Sequence, residues 1–87
     1  MIISFEKEEF EKDDITQLYP AAMIPTGVGK ELTQISLEWY DTERKDIEAV
    51  KYAIFVHFRD KSVLPFYYEN REKLEKAIEN LANILNN

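Results

Sequence analysis

Hydrophobic and polar positions follow two different periods along this chain, and the helical period is clearest at its C-terminal end. Over residues 70–87 the apolar positions Leu74, Ala77, Ile78, Leu81, Ala82, Ile84 and Leu85 recur at three- and four-residue offsets. That spacing places them on one side of an α-helix. Asn70 suits the N-cap, because its side-chain oxygen can accept from a free amide of the first turn. Glu72 lies where the helix dipole favours a carboxylate, and Glu72 with Lys76 forms an i,i+4 pair in the favoured orientation.

Three segments upstream read as strands. In residues 32–40, Ile35, Leu37 and Trp39 alternate with Gln34, Ser36 and Glu38, the period of two of a half-buried strand. Residues 50–58 and 63–68 are rich in β-branched and aromatic side chains, and only the polar link Arg59-Asp60-Lys61-Ser62 separates them. They are expected to form an antiparallel hairpin, with Pro65 confining the second strand to an edge or to an unpaired side. With Asp60 and Lys61 at the tip, Phe58 opposes Val63, Val56 opposes Pro65 and Ile54 opposes Tyr67. One hairpin face then carries Val50, Tyr52, Ile54, Val56, Phe58, Val63 and Tyr67, and the other Ala53, Phe55, His57, Leu64, Phe66 and Tyr68. Both faces are apolar, whereas a sheet with one wet face alternates cleanly. The terminal helix covers one. The other needs residues 1–24, or a partner chain.

Ile3 and Phe5 read as a short first strand. Phe10, Ile15 and Leu18 fit a helix starting near Lys7 or one capped by Asp13 or Asp14, ended by Tyr19-Pro20. Residues 20–30, with Pro25, Gly27 and Gly29, read as a loop. The expected architecture is α+β: an antiparallel sheet of three to four strands, a C-terminal amphipathic helix on one face, and an N-terminal strand or helix element. Residues 1–87 are expected to form a single domain, given that length.

Composition narrows the chemistry. The chain has no cysteine, which excludes disulfides, thiolate metal sites and a cysteine nucleophile. It has no apolar run of membrane-spanning length and no basic, apolar leader at its start, so a cytoplasmic, membrane-free setting is expected. Net charge is −6, and six carboxylates against two lysines in residues 1–14 concentrate it. Direct nucleic-acid binding is therefore not expected. Glu8, Glu9, Glu11, Asp13 and Asp14 make an acidic patch, either a solvated face or a surface for a basic partner.

Candidate catalytic features dissolve on inspection. Gly27-Val28-Gly29-Lys30 lacks the earlier glycine and the following Ser or Thr of a phosphate loop, holding Ile24 and Glu31 there instead. His57 stands alone between Val56 and Phe58, with no ligand spacing or nucleophile in a recognisable motif nearby. The charged stretch from Asp41 to Ala49 has no calcium-loop spacing and reads as a contact loop between strands. No cofactor, metal or enzymatic activity is expected.

Trp39, Tyr40, Tyr67 and Tyr68 are the most informative group, since large rings with a polar end are enriched at contact surfaces. Strand neighbours point to opposite faces, so each adjacent pair is split between them. The candidate interface is Trp39, Tyr40, Phe55, Phe66 and Tyr68. The leading expectation is a protein-binding or regulatory module whose partner is another protein or a second copy in a homodimer. The alternative is an acidic mimic of nucleic acid, or an inhibitor of a basic protein in the manner of small phage-encoded proteins. A small-ligand binder or enzyme ranks last, because no convergent polar groups are recognisable. The succession of strands closed by a long helix resembles pleckstrin-homology-like domains in outline, which by itself implies a fold and no function.

Overall fold

A computed structural model of the chain describes residues 1–43 and 47–86. It has an α+β fold with two antiparallel sheets and two α-helices among the described residues. The smaller sheet is a hairpin of β1 (Ile2–Phe5) and β2 (Glu8–Glu11), followed by a single 3-10 turn at Lys12–Asp14. The larger sheet has the order β4-β3-β5-β6, from β3 (Ile15–Pro25), β4 (Leu32–Ser36), β5 (Lys51–Phe58) and β6 (Val63–Tyr68). Helix α1 (Leu37–Glu43) follows β4, and α2 (Arg71–Leu85) closes the fold.

Helix α2 forms as its pattern requires. The Asn70 side chain accepts from the Lys73 amide at 2.9 Å, and Leu74, Ala77 and Leu81 are buried. They pack on Ile54, Val56, Phe66 and Tyr68, with Phe5 of the small hairpin completing the main core. Leu74 is wholly buried, and removing such a side chain from water contributes about 1.5–3 kcal/mol.

The N-terminal third departs from expectation. Residues 8–11 are a strand where a helix from Lys7 was one reading, and Glu6 and Lys7 form the two-residue turn between β1 and β2. Both have positive φ, 51° and 70°, as a type I′ turn demands. Their residue types hide the turn, because Asn-Gly is its usual signature. Tyr19-Pro20 does not end a helix. It lies within β3, an eleven-residue strand between β4 and β5, so the connection from β3 to β4 shrinks to 26–31. Phe10, Ile15 and Leu18, read as helical, instead reach the main core from β2 and β3.

The 32–40 segment also divides. Ser36 caps α1 by accepting from the Trp39 amide at 3.2 Å, so the strand stops there. Trp39 and Tyr40 are thus helical neighbours, one 45% exposed and the other buried. The charged contact loop expected from Asp41 is helical up to Glu43, and its residues 44–46 lie outside the described residues.

The β5–β6 hairpin pairs as expected, but one residue out of register. Phe55 faces Pro65, Ile54 faces Phe66 and His57 faces Val63. The turn has three loop residues, Arg59 to Lys61. The Lys61 amide donates to the Phe58 carbonyl at 3.0 Å, and the Phe58 amide donates to the Ser62 carbonyl at 3.0 Å. Lys61 takes positive φ, 71°, the left-handed position that follows a type I turn in such loops. The Asp60 carboxylate accepts from the Ser62 amide at 2.9 Å and hydroxyl at 2.5 Å, which locks the turn and lowers the Asp60 pKa. A one-residue slip exchanges the faces of an entire strand. Leu64, Phe66 and Tyr68 therefore share the helix-side face with Ile54 and Val56, while Tyr67 points the other way.

Candidate functional site

Every covering element lies on the same side of the large sheet. Helix α2 packs on the helix-side residues of β5 and β6. The small hairpin adds edge-on ring contacts from Phe5 to Phe66 at 5.0 Å and from Phe10 to Phe58 at 5.5 Å. Tyr40 of α1, with Ile47 and Ala49, covers Ala22, Ile24 and Tyr52 at the far end of that same side. The Tyr40 hydroxyl accepts from the Ala49 amide at 3.1 Å, which ties the connection down. Arg71 joins the two helices through a bidentate pair with Asp41, at 2.9 and 2.8 Å. Its guanidinium lies over the Tyr52 ring at 5.9 Å, and the Asp41 carboxylate holds it firmly charged.

The opposite face has a different make-up. Its small cluster of buried residues is Ala21, Ala53 and Phe55, with Tyr19 and Met23 packed against it, all from β3 and β5. No helix or hairpin covers it among the described residues. Register sets the rows across it: Gln17, His57 and Val63; then Tyr19, Phe55 and Pro65; then Ser36, Ala21, Ala53 and Tyr67; then Gln34, Met23 and Lys51. The Tyr19 ring lies near Phe55 at 5.6 Å and stacks on His57 at 5.5 Å, and its hydroxyl accepts from Gln34 Nε2 at 3.2 Å. Lys51 sits over the Tyr67 ring at 4.5 Å. Tyr67 and Val63 are the large apolar residues of these rows left exposed, at 52% and 45%.

Charge separates this face from the rest of the molecule. Glu69 borders its paired rows beside Lys51 and Tyr67, but the rows themselves contain no carboxylate, although the chain has seventeen. Lys51 is the charged residue among them, and the enclosed Nε2 of His57 has no hydrogen-bond partner among the described residues.

Of the five candidate interface residues, Phe55 alone belongs to this open face. Phe66 and Tyr68, expected on the face away from the helix, lie beneath α2 because the three-residue turn shifts the register. Tyr40 is buried under α1's end of the sheet, and Trp39 stands exposed on α1. Sequence reasoning missed Tyr19, Met23, Val63 and Tyr67 as members. For Tyr19 and Met23 the available signal was the unbroken apolar run of residues 19–25, obscured by its two prolines.

Glu8, Glu9, Asp13 and Asp14 are exposed along β2 and the 3-10 turn, and Glu11 is half-buried. Glu11 pairs with the N-terminal ammonium, which Asp13 approaches at 3.9 Å. Lys12 turns away from this cluster and donates to the Leu85 carbonyl at 2.6 Å. The Tyr68 hydroxyl is enclosed without a hydrogen-bond partner among the described residues. Burial, and then the Glu6 carboxylate beside it, push its pKa upward.

No helix is long and apolar enough to cross a membrane, and no cluster of metal-ligating side chains occurs among the described residues. Comparison with protein families, curated proteins and solved structures finds no match.

Proposed function

We propose that this chain is a protein-binding module that acts through the open face of its large sheet, and that the occupant of that face is a second copy of the chain. The observation carrying this reading is that all the covering elements crowd onto one side, leaving an aromatic surface whose paired rows hold no carboxylate, with Glu69 at its margin beside Lys51. A chain of net charge −6 repels its own copy through most of its surface. The open face is the exception, because its paired rows carry no carboxylate and Glu69 at its margin has Lys51 beside it. Association through the β6 edge is disfavoured, since Pro65 has no amide to offer an added strand.

The face measures roughly 15 by 20 Å between strand axes, from standard strand spacing and rise. That is modest beside the ~800 Å² per partner of a standard interface, so a micromolar dimer in exchange with monomer is expected. Screening of the net charge makes the dimer tighter as salt rises. The test compares the parent chain with Tyr67→Lys/Val63→Lys by sedimentation equilibrium at low and high salt. Both positions are exposed, so the variant keeps its fold. The proposal requires a parent mass that rises with concentration and salt, and a monomeric variant. Equal masses for the two chains would overturn it.

A further inference from the structure

His57 is the titratable group that the open face leaves without an answering charge. It is half-buried in the row Gln17, His57 and Val63, and its ring stacks on Tyr19 of the next row at 5.5 Å. Tyr19 in turn lies against Phe55, so the imidazole forms one end of the aromatic cluster. Its Nε2 is enclosed without a hydrogen-bond partner among the described residues. In a protonated ring both nitrogens are donors, and this one then points at no acceptor.

The groups around His57 offer nothing to hold that proton. Strand β3 contributes the Gln17 amide and the Tyr19 phenol, and the Thr16 hydroxyl donates to the His57 carbonyl at 3.3 Å, away from the ring. Strand β6 contributes Val63 and Pro65. In the adjoining turn, Arg59 and Asp60 line a cleft with Phe10, Glu11 and Asp14 on the hairpin side, and the Asp60 carboxylate is engaged by Ser62. Lys61, exposed at the tip, is itself positive. Lys51 and Glu69 stand with Tyr67 at the other end of the face.

We propose that His57 makes closure of the open face sensitive to pH: the neutral ring allows two copies to pair, and its protonation separates them. The proposal rests on the pairing of copies through this face. In the separated chain, water reaches the partly exposed ring. In the pair, a second aromatic face replaces that water and supplies no carboxylate to either imidazolium. Protonation therefore favours the separated chains. By linkage, pairing is complete where the ring is neutral and is lost as pH falls through the range in which histidines titrate. The chain has one histidine and no cysteine. The N-terminal amine stays an ammonium below pH 8, because the Glu11 carboxylate accepting its hydrogen bond raises its pKa. Discharge of carboxylates in more acidic solution acts the other way, since it relieves the repulsion between two chains of net charge −6.

The test is sedimentation equilibrium at high salt, at pH 7.5 and 5.5, on the parent chain, His57→Gln and Gln17→Glu. The dissociation constant of the parent is expected to rise at least roughly tenfold at pH 5.5. His57→Gln is neutral at both pH values and should pair equally at both. Gln17 is exposed directly across from His57, so Gln17→Glu gives the imidazolium a counter-ion and is expected to pair more tightly at pH 5.5 than at 7.5. Melting curves at each pH verify that all three chains are folded. A parent that is monomeric at pH 7.5 removes the pairing, and this proposal with it. A parent that pairs at pH 7.5 and at least as tightly at 5.5 overturns the switch alone and leaves the pairing standing. So does a His57→Gln chain that loses pairing at pH 5.5 as the parent does.

Discussion

Phe66 and Tyr67 are chain neighbours on opposite faces of β6, so a pair of alanine substitutions reads out the architecture directly. Phe66 is 8% exposed, in edge contact with Phe5 and packed within the core beneath α2. Phe66→Ala should cost about 3–4 kcal/mol, the usual range for a buried aromatic truncated to leave a cavity. Tyr67 is 52% exposed and gives up only partial burial and its contact with Lys51. Tyr67→Ala should cost about 1 kcal/mol. For a domain of this length each kcal/mol lowers Tm by about 5 °C, so the expected losses are ~15–20 °C and ~5 °C. Thermal unfolding by circular dichroism, at concentrations low enough to keep the chain monomeric, measures both. With two loop residues in the turn, Tyr67 would be the core residue and the order of the losses would reverse. Equal losses, or a greater loss for Tyr67→Ala, would refute the register and the open face together.

Other consequences follow from single groups. The Tyr68 pKa is raised by burial, so the folded state keeps its proton above the ordinary phenol pKa near 10, where the unfolded chain ionises. Its contribution to stability is complete below that pH and is lost as pH rises toward the folded pKa. Tyr68→Phe should flatten the alkaline fall in Tm and leave Tm at pH 7 nearly unchanged, since the hydroxyl is enclosed with only the Glu6 carboxylate beside it. A variant melting markedly lower at pH 7 would contradict this. Replacing Glu6-Lys7 by Asn-Gly, which accommodates the two positive φ angles, should raise stability by about 1 kcal/mol in urea titration. A loss would exclude the type I′ turn. Asp41→Asn breaks an ion pair whose side chains are more than one-third exposed, so solvent screening limits the expected cost to under about 1 kcal/mol.

Legibility in the sequence followed the strength of local signals. Helix α2 was plain, because its seven apolar positions and Asn70 cap agree at every level. The β5–β6 hairpin was legible as pairing but not as register, because Lys61 occupies a left-handed position usually given to glycine or asparagine. That one residue decided which aromatics face the helix, and it moved Phe66 and Tyr68 off the candidate surface. Strand β3 was obscured by Pro20 and Pro25, which normally argue against an interior strand. Pro20 is tolerated in the half of β3 that β4 does not reach, and Pro25 is the strand's last residue. At Ser36 the two-residue alternation continued into Trp39, while the capping potential of the serine determined the outcome. The expectation that both sheet faces are apolar came from the alternation along the hairpin strands. Among the described residues β1 and β2, like both helices, settle on one side of the large sheet.

The most direct measurement is an isotope-filtered nuclear Overhauser experiment on a mixture of labelled and unlabelled chains at millimolar concentration. Closure of the open face by a second copy predicts intermolecular contacts among the side-chain protons of Tyr19, Val63 and Tyr67. Absence of intermolecular contacts, or contacts arising only from Trp39 and the helix side, would contradict it.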